Sequence, residues 1–242
     1  MRDAIAKART WPGLILGFGI VAAWLALFVY AVFFFSLSAA SVPVAIAMIV
    51  ALVILYAGMF IVAHDTMHGS FLPGAPKLNA AIGQFILTVY AGFNWRKMRT
   101  AHHQHHKTPG TADDPDYNAA NPKGFGAWYF KWFATYFRAP QFAFLFVVNL
   151  VFMFVLKAEL ANILLFWALP AMLSSLQLFY FGTYLPHRDD GTAFPDHHNA
   201  RTNDYPWLLS LLTCFHFGYH HEHHLYPHEP WWRLPLRRKL AK

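Results

Sequence analysis

The sequence is poor in charged residues and almost lacks cysteine. Charged residues make up 13% of its 242 residues and hydrophobic residues 57%, whereas a soluble domain has about 25% and about 45–50%. The single cysteine, Cys214, excludes an internal disulfide and a cysteine-based metal site. These shortages indicate a membrane protein in which imidazole, not thiolate, would hold any metal ion.

Long uncharged stretches predict membrane-spanning helices. Residues 10–64 contain no Asp, Glu, Lys or Arg, which is enough chain for two spans of about 20 residues each. Small and turn-forming residues at 36–43 place the reversal between these spans. Basic residues precede the first apolar run, but the run is too long for a signal peptide, so we expect an uncleaved anchor. Four spans are predicted, at about 13–35, 44–63, 141–156 and 160–182.

Two further segments are expected to lie at the membrane surface or to re-enter it without crossing. Residues 78–93 are mostly apolar but short for a span. Residues 125–138 mix many aromatic side chains with Lys131 and Arg138, which is typical of a helix in the headgroup layer. The predicted fold is an all-α integral membrane protein, a single domain over residues 1–242, with about four transmembrane helices, interfacial helices and a cytoplasmic histidine-rich cap.

Basic residues divide unequally between the two sides of this topology. Of the 19 Lys and Arg residues, all but Lys157 lie on the side that holds both termini. Because short cytoplasmic loops are enriched in Lys and Arg, we expect that side to be cytoplasmic. The net charge of +7 follows this membrane pattern, and we therefore do not interpret it as nucleic-acid binding.

Three sets of histidines share helical spacing. Two sets are spaced i, i+3, i+4 and the third i, i+4, so each set places its imidazoles on one face of a helix. A solvated polar face would explain any one set alone, but three sets on one side of the membrane favour a metal site. Eight imidazoles exceed the roughly four to six ligands of one ion and suit two adjacent ions. The predicted ligands are His64, His68, His102, His105, His106, His220, His223 and His224.

Other residues near these sets are weaker candidates. His187 lies just past the last predicted span and is a possible ninth ligand. His103 and His221 lie about 100° around the helix from the ligand faces, so we expect them to support ligands rather than bind metal. Carboxylates can orient imidazoles by accepting their distal N–H. The main candidates for this role are Asp65, Asp114 and Glu222, and Asp113, Asp116 and Asp196 are also available. The sequence leaves open the roles of His197, His198 and His216, and His228 is not expected to be a ligand.

All-imidazole ligation is compatible with Fe, Zn, Cu or Ni. A hydrolytic zinc enzyme would need no membrane fold, whereas a di-iron site could activate O₂ for attack on the C–H bonds of a lipid. The Glu-x-x-His pattern of ferritin-like di-iron proteins is absent. A metal transporter is disfavoured because the long spans carry histidine only at their ends. A non-enzymatic membrane metal-binding protein remains an alternative.

The three sets resemble the histidine boxes of the membrane fatty-acid desaturase/hydroxylase superfamily, whose members hold a non-haem di-iron centre. The strings GTADDPDY and AFPDHHNART are similar to one branch of it, the bacterial W-type β-carotene 4-ketolases. The resemblance covers nearly the whole chain and no box position departs from it. The matching stretches are residues 60–70, 100–117, 181–188, 193–202 and 208–235.

The resemblance implies O₂-dependent oxidation of C4 of the β-ionone ring of a carotenoid to a ketone, by two successive hydroxylations and loss of water. β-Carotene would give echinenone and canthaxanthin, and zeaxanthin would give astaxanthin. It also implies two iron ions held by the box histidines with His187. We expect electrons to come from an external donor, because no flavin, haem or iron–sulfur motif is visible, and the basic cytoplasmic face suits an acidic ferredoxin. The expected location is the bacterial inner membrane. The alternatives within the superfamily are a carotenoid hydroxylase and a fatty-acid desaturase.

Overall fold

The chain folds into helices joined by loops. A computed structural model describes residues 2–241, with side chains from residue 11 onward, so that Met1 and Lys242, the ends of the predicted domain, lie outside the described residues. Residues 2–241 contain no β-strand. The α-helices are α1 (Arg2–Phe33), α2 (Val42–His68), α3 (Pro76–Ala91), α4 (Trp95–Lys107), α5 (Phe125–Tyr136), α6 (Ala139–Leu150), α7 (Leu160–Ile163), α8 (Leu169–Phe179), α9 (Leu185–His187), α10 (Trp207–Cys214), α11 (His220–Leu225) and α12 (Leu234–Leu240).

Three helical segments are long and apolar enough to cross a membrane: Trp11–Phe33, Ala39–His68 and Leu160–His187. A fourth crossing is formed only if α5 and the helix Ala139–Val155 act together, and these two are bent by 77°. Three of the four predicted spans therefore fall on continuous helices, while the predicted span 141–156 falls on the second half of a bent pair. The chain is an all-helical membrane protein with three or four candidate spans.

The last span, Leu160–His187, is not a regular α-helix. Residues Leu164–Ala168 and Tyr180–Tyr184 form π-helical turns on either side of α8. The α6 helix also continues into a π-helical turn, Val151–Val155. A π-turn adds a residue to the helical repeat and is frequently found at functional sites. Sequence periodicity gave no sign of these turns.

Thr66 joins three helices at the end of α2. Its carbonyl accepts a hydrogen bond from Asn79 Nδ2 of α3 at 2.6 Å, and its hydroxyl accepts one from Trp95 Nε1 of α4 at 2.9 Å. Thr66 stands between the two histidines of the first set, His64 and His68. These bonds therefore fix the start of α4, and with it the second histidine set, relative to the first.

Gly83 of α3 lies at this junction and has no room for a side chain. A Cβ there would stand 2.2 Å from Thr66 Oγ1 and 2.4 Å from Trp95 Nε1. We expect Gly83→Ala to lose about 1–3 kcal/mol through overpacking, seen as a lower thermal unfolding midpoint in detergent. Gly19→Ala is the matched control, since a Cβ at Gly19 meets nothing within 4 Å. Equal midpoints for the two variants would contradict this packing.

Candidate metal centre

The structure brings all nine predicted histidines together, in two groups. Within each group the ligand atoms lie within 4.8 Å of one another. Every histidine set contributes to the first group, whereas the second draws on the second and third sets and on the end of the last span. The first group is His64, His68, His102, His106 and His223, and the second is His105, His187, His220 and His224.

The ring nitrogens of the first group make more close contacts than hydrogen bonding alone can satisfy. His102 Nε2 lies 2.8 Å from His64 Nε2, 2.7 Å from His68 Nε2 and 3.1 Å from His106 Nε2. One imidazole nitrogen carries either one hydrogen or one lone pair, so it can satisfy only one of these three contacts. Metal–nitrogen bonds of about 2.1 Å place neighbouring ligands of an octahedral ion about 3 Å apart. The donor set therefore fits a cation.

The second group has two imidazoles whose tautomers are fixed. His187 Nδ1 donates to the Asn199 carbonyl at 2.7 Å, and His105 Nδ1 donates to the Asp114 carboxylate at 3.0 Å. With its proton on Nδ1, each neutral ring keeps a free lone pair on Nε2. His187 Nε2 is buried and has no hydrogen-bond partner among the described residues. A metal ion would satisfy it.

Backbone hydrogen bonds hold the Asp114 carboxylate in place beside His105. Its carboxylate accepts backbone N–H groups of Gly110 at 2.9 Å and Asp116 at 2.8 Å. Burial alone would lower the pKa of His105, but the Asp114 carboxylate raises that pKa above its ordinary value. Burial likewise opposes ionisation of Asp114, and its bond to His105 nevertheless lowers the pKa of the carboxyl group. The pair is therefore strongly polarised, which makes the His105 ring a better ligand.

Burial keeps the remaining imidazoles outside the spans neutral. It lowers their pKa values well below the ordinary value for histidine, and the neighbouring imidazoles lower them further. Neutral imidazole is the form that binds metal. The residues concerned are His102, His106, His220, His223 and His224.

Two predicted supporting residues lie beside the first group. Asp65 Oδ1 is 3.6 Å from His64 Nδ1, while its other oxygen accepts the backbone N–H of Trp231 at 3.2 Å. His103 donates to the Met67 carbonyl at 3.1 Å. Asp65 thus stands next to an imidazole of the group, whereas His103 connects α4 to α2.

The other two predicted supporting residues bind elements around the second group. His221 donates to Asp196 at 2.9 Å. The Glu222 carboxylate accepts from Thr202 and from Arg238 Nη1. Both side chains bond to these neighbouring elements, and they fasten α11 to the 188–206 loop and to α12.

The histidines without an assigned role are also accounted for. His198 contacts Asp196 at 3.0 Å, and His197 stands beside it. His216 is buried and contacts Ser210 Oγ at 3.1 Å. His228 is exposed, 3.4 Å from the His68 carbonyl. None of these four histidines belongs to either of the two groups into which the nine predicted ligands divide.

An apolar cavity of about 440 Å³ opens beside both histidine groups. His64 and His102 of the first group and His105 and His220 of the second form its polar end. From there it runs between the last span on one side and α5 and α6 on the other. Its wall is mostly aliphatic and aromatic, including Phe60, Phe93, Trp132, Phe133, Phe137, Leu145, Phe146, Trp167, Ala171, Leu178 and Phe217.

Two contributors to the site were not predicted from the sequence. The Asn199 carbonyl orients His187, and a backbone carbonyl leaves no signal in residue spacing. Tyr136 lines the cavity with Asp116 and donates to its carboxylate at 2.5 Å. Trp128 Nε1 donates to the Asp116 carbonyl at 2.6 Å. The α5 helix therefore holds the loop that contains Asp114.

The helical fold, two imidazole groups that could each hold a metal ion and an apolar cavity beside them have counterparts in a known protein family. The model of the fatty acid desaturase family matches residues 39–149 and 136–242. The chain belongs to that family, which confirms the resemblance seen in its histidine sets. It is 51% identical to a β-carotene ketolase of one Paracoccus strain, over 97% of this chain and 96% of that protein.

Two further relatives extend the comparison. A β-carotene ketolase of a second Paracoccus strain is 45% identical over 97% of both chains. A zeaxanthin 4-ketolase of Chlamydomonas reinhardtii is 34% identical over 95% of this chain and 54% of that longer protein. The similarity to ketolases thus covers almost the full length of this chain.

Asp114→Asn tests the contact between Asp114 and His105. A neutral amide is a weaker acceptor than a carboxylate, so we expect metal affinity to fall about 10-fold. The fraction of metal retained against increasing chelator measures this. Asp113→Asn is the control, because Asp113 is exposed one residue away. Equal retention by both variants would show that His105 needs no carboxylate.

Proposed function

We propose that this protein oxidises C4 of the β-ionone ring of carotenoids to a ketone, using O₂, by two successive hydroxylations followed by loss of water. β-Carotene would be converted to echinenone and canthaxanthin, and zeaxanthin to astaxanthin. The observation that carries the proposal is that both histidine groups line one apolar cavity. The full-length similarity to proteins named as β-carotene and zeaxanthin ketolases supports the choice of substrate.

The cofactor that we propose is a pair of iron ions, one in each histidine group. Their ligands would be the nine histidines His64, His68, His102, His105, His106, His187, His220, His223 and His224. The close nitrogen contacts in the first group and the unpartnered His187 Nε2 in the second support this assignment. Bound iron would supply the activation of O₂ and the oxidation of the ring C–H bond.

The protein's own residues would orient the ligands and the substrate. Asp114 and the Asn199 carbonyl hold the protons of His105 and His187 on Nδ1, which leaves the Nε2 lone pairs that would bind the metal. Phe217 packs against His64 with ring centroids 4.6 Å apart and lines the cavity. Such aromatic walls exclude water and hold the ring edge beside the metal centre. Because C4 is allylic, its C–H bond is weak, and positioning then decides which carbon reacts.

We further propose that the histidine-rich end faces the cytoplasm of a bacterium, with the chain in the inner membrane as one domain. Both His68, at the end of α2, and His187, at the end of the last span, lie at this end. All Lys and Arg residues except Lys157 are assigned to the same side, which supports that orientation. Both termini would then be cytoplasmic, and α3 and α5 would lie at or re-enter the membrane surface.

The electrons would come from an external donor, for which we propose ferredoxin. The α4 helix carries three of the predicted ligands and also exposes Arg96, Lys97, Arg99 and Lys107. An acidic electron-transfer protein would be attracted to this surface and would dock close to the metal centre.

Production of a ketone in β-carotene-accumulating bacteria tests the function. We expect red ketocarotenoids with the wild-type chain. Hydroxylated rings without a ketone would instead identify a carotenoid hydroxylase, and unchanged carotene with altered fatty acids a desaturase. Unchanged pigments and lipids, with zinc in the purified protein, would favour a non-enzymatic metal-binding protein.

Histidine variants test the metal ligands in the same assay. His105→Ala and His223→Ala each remove one imidazole, from the second and the first group. We expect either change to abolish ketone formation while the protein still inserts into the membrane. His228→Ala is the control, because His228 is exposed and outside both groups. Similar activity in all three variants would contradict the ligand assignment.

A further inference from the structure

Asp116 brings a carboxylate to the wall of the apolar cavity. It is the one acidic side chain among the described residues that line the cavity. It stands at the polar end, where His102 and His105 also form the wall, and its Oδ2 lies 3.8 Å from His105 Nδ1. A carboxylate that faces an apolar cavity is costly unless its oxygens have hydrogen-bond donors, so the partner of each oxygen matters.

The two oxygens of the Asp116 carboxylate have different surroundings. Oδ1 accepts the Tyr136 hydroxyl at 2.5 Å. Oδ2 has no hydrogen-bond donor among the described residues, because the nearby His105 Nδ1 donates to Asp114. This unpaired oxygen is nevertheless not fully buried, and the Asp116 side chain keeps 12% of its surface exposed. Since Asp116 lines the cavity, we assign that exposed surface to the cavity side.

The backbone around Asp116 is held from both sides by α5. Trp128 Nε1 donates to the Asp116 carbonyl at 2.6 Å. Lys131 Nζ donates to the carbonyls of Pro115 at 2.6 Å and Tyr117 at 2.7 Å, which flank Asp116 in the chain. Burial raises the pKa of Asp116, and the Lys131 ammonium acts against that rise and favours the ionised carboxylate. The carboxylate is therefore fixed in place while one oxygen stays free.

The proposed reaction passes through a species that suits a free carboxylate oxygen. The first hydroxylation replaces one hydrogen of the C4 methylene group by a hydroxyl group. The second replaces the remaining C4 hydrogen, and the resulting diol loses water to leave the ketone. An ionised carboxylate only accepts hydrogen bonds. The unsubstituted ring has no donor and the ketone only accepts, so of the substrate, the 4-hydroxy intermediate and the ketone, only the intermediate can bond to Oδ2.

We propose that Asp116 Oδ2 accepts a hydrogen bond from the 4-hydroxyl group of this intermediate and holds it for the second hydroxylation. The inference rests on the proposed ketolase function and deepens it. A hydrogen bond of about 2.7 Å to Oδ2 keeps C4 beside His105, with its remaining hydrogen still in the site. The intermediate is thus retained until the second round. Formation of the ketone removes the donor, and the product is released.

A competition between two carotenoids tests the binding without turnover. Purified protein with its metal, in detergent without O₂ or reductant, receives equal amounts of a carotenoid hydroxylated at C4 of both rings and one with ketones at both positions. The protein is recovered and the bound pigments are separated and counted. We expect the wild type to retain the hydroxylated pigment in about 10-fold excess, the effect of roughly one hydrogen bond to a charged group.

Asp116→Asn removes the charge at similar volume and can keep an oxygen for the Tyr136 hydroxyl. We expect the 10-fold excess to disappear. In bacteria that accumulate β-carotene, the same variant would release more 4-hydroxycarotenoid, so that the ratio of 4-hydroxy to 4-keto product rises about 10-fold. Both ratios are measured within one sample and do not depend on the amount of protein.

Two variants control for structure and for polarity. Tyr136→Phe removes the donor to Oδ1 but leaves the carboxylate, and Ser175→Ala removes a polar group elsewhere on the cavity wall. Both are expected to keep most of the preference for the hydroxylated pigment. Equal binding of the two pigments by the wild type, unchanged ratios in Asp116→Asn, or an equal loss of preference in Tyr136→Phe would overturn the proposal. Absence of bound pigment and of ketone with the wild type would instead refute the proposed function.

Discussion

The structure depends on the mutual contact of nine largely buried imidazoles. Four separate helices deliver them: α2, α4, the end of the last span and α11. Their ring nitrogens approach to 2.7–3.1 Å in contacts that hydrogen bonding alone cannot satisfy. Neutral imidazoles packed in this way have unused lone pairs pointing at shared points in space, and metal cations would stabilise the arrangement. The centre would therefore join the membrane helices to the loops that follow them.

The same arrangement places the chemistry next to lipid. His64 and His187 belong to candidate membrane spans, while His105 and His223 come from outside them. The apolar cavity starts at the imidazoles and continues along the last span. In the proposed function, an apolar substrate would thus reach the metal centre without leaving the bilayer. The loop around Asp114 lies between the imidazole groups and the apolar cavity, because Asp114 contacts His105 and the nearby Asp116 lines the cavity.

Much of this could be predicted from the sequence, because helical spacing and uncharged runs are local properties. Eight of the nine histidines and the approximate spans follow from them, whereas the choice of His187 also needed the family resemblance. The division of the ligands into groups of five and four cannot be predicted from these local properties. Adjacent residues such as His105 and His106 project about 100° apart, so one histidine set can contribute to both groups. Only tertiary packing decides which histidine joins which group. Glu222, expected beside an imidazole, faces Thr202 and Arg238 instead, since its direction depends on where α12 packs. The bend between α5 and α6 and the π-turns likewise depend on packing rather than on local sequence.

The metal content of the purified protein tests the central claim most directly. Protein produced with ample iron and extracted in mild detergent would be analysed for iron and zinc per chain. The two imidazole groups predict about two metal ions per chain, and the proposed O₂ chemistry predicts that these ions are iron, with little zinc. One iron per chain would contradict the two-group arrangement, and zinc alone would contradict an O₂-activating centre.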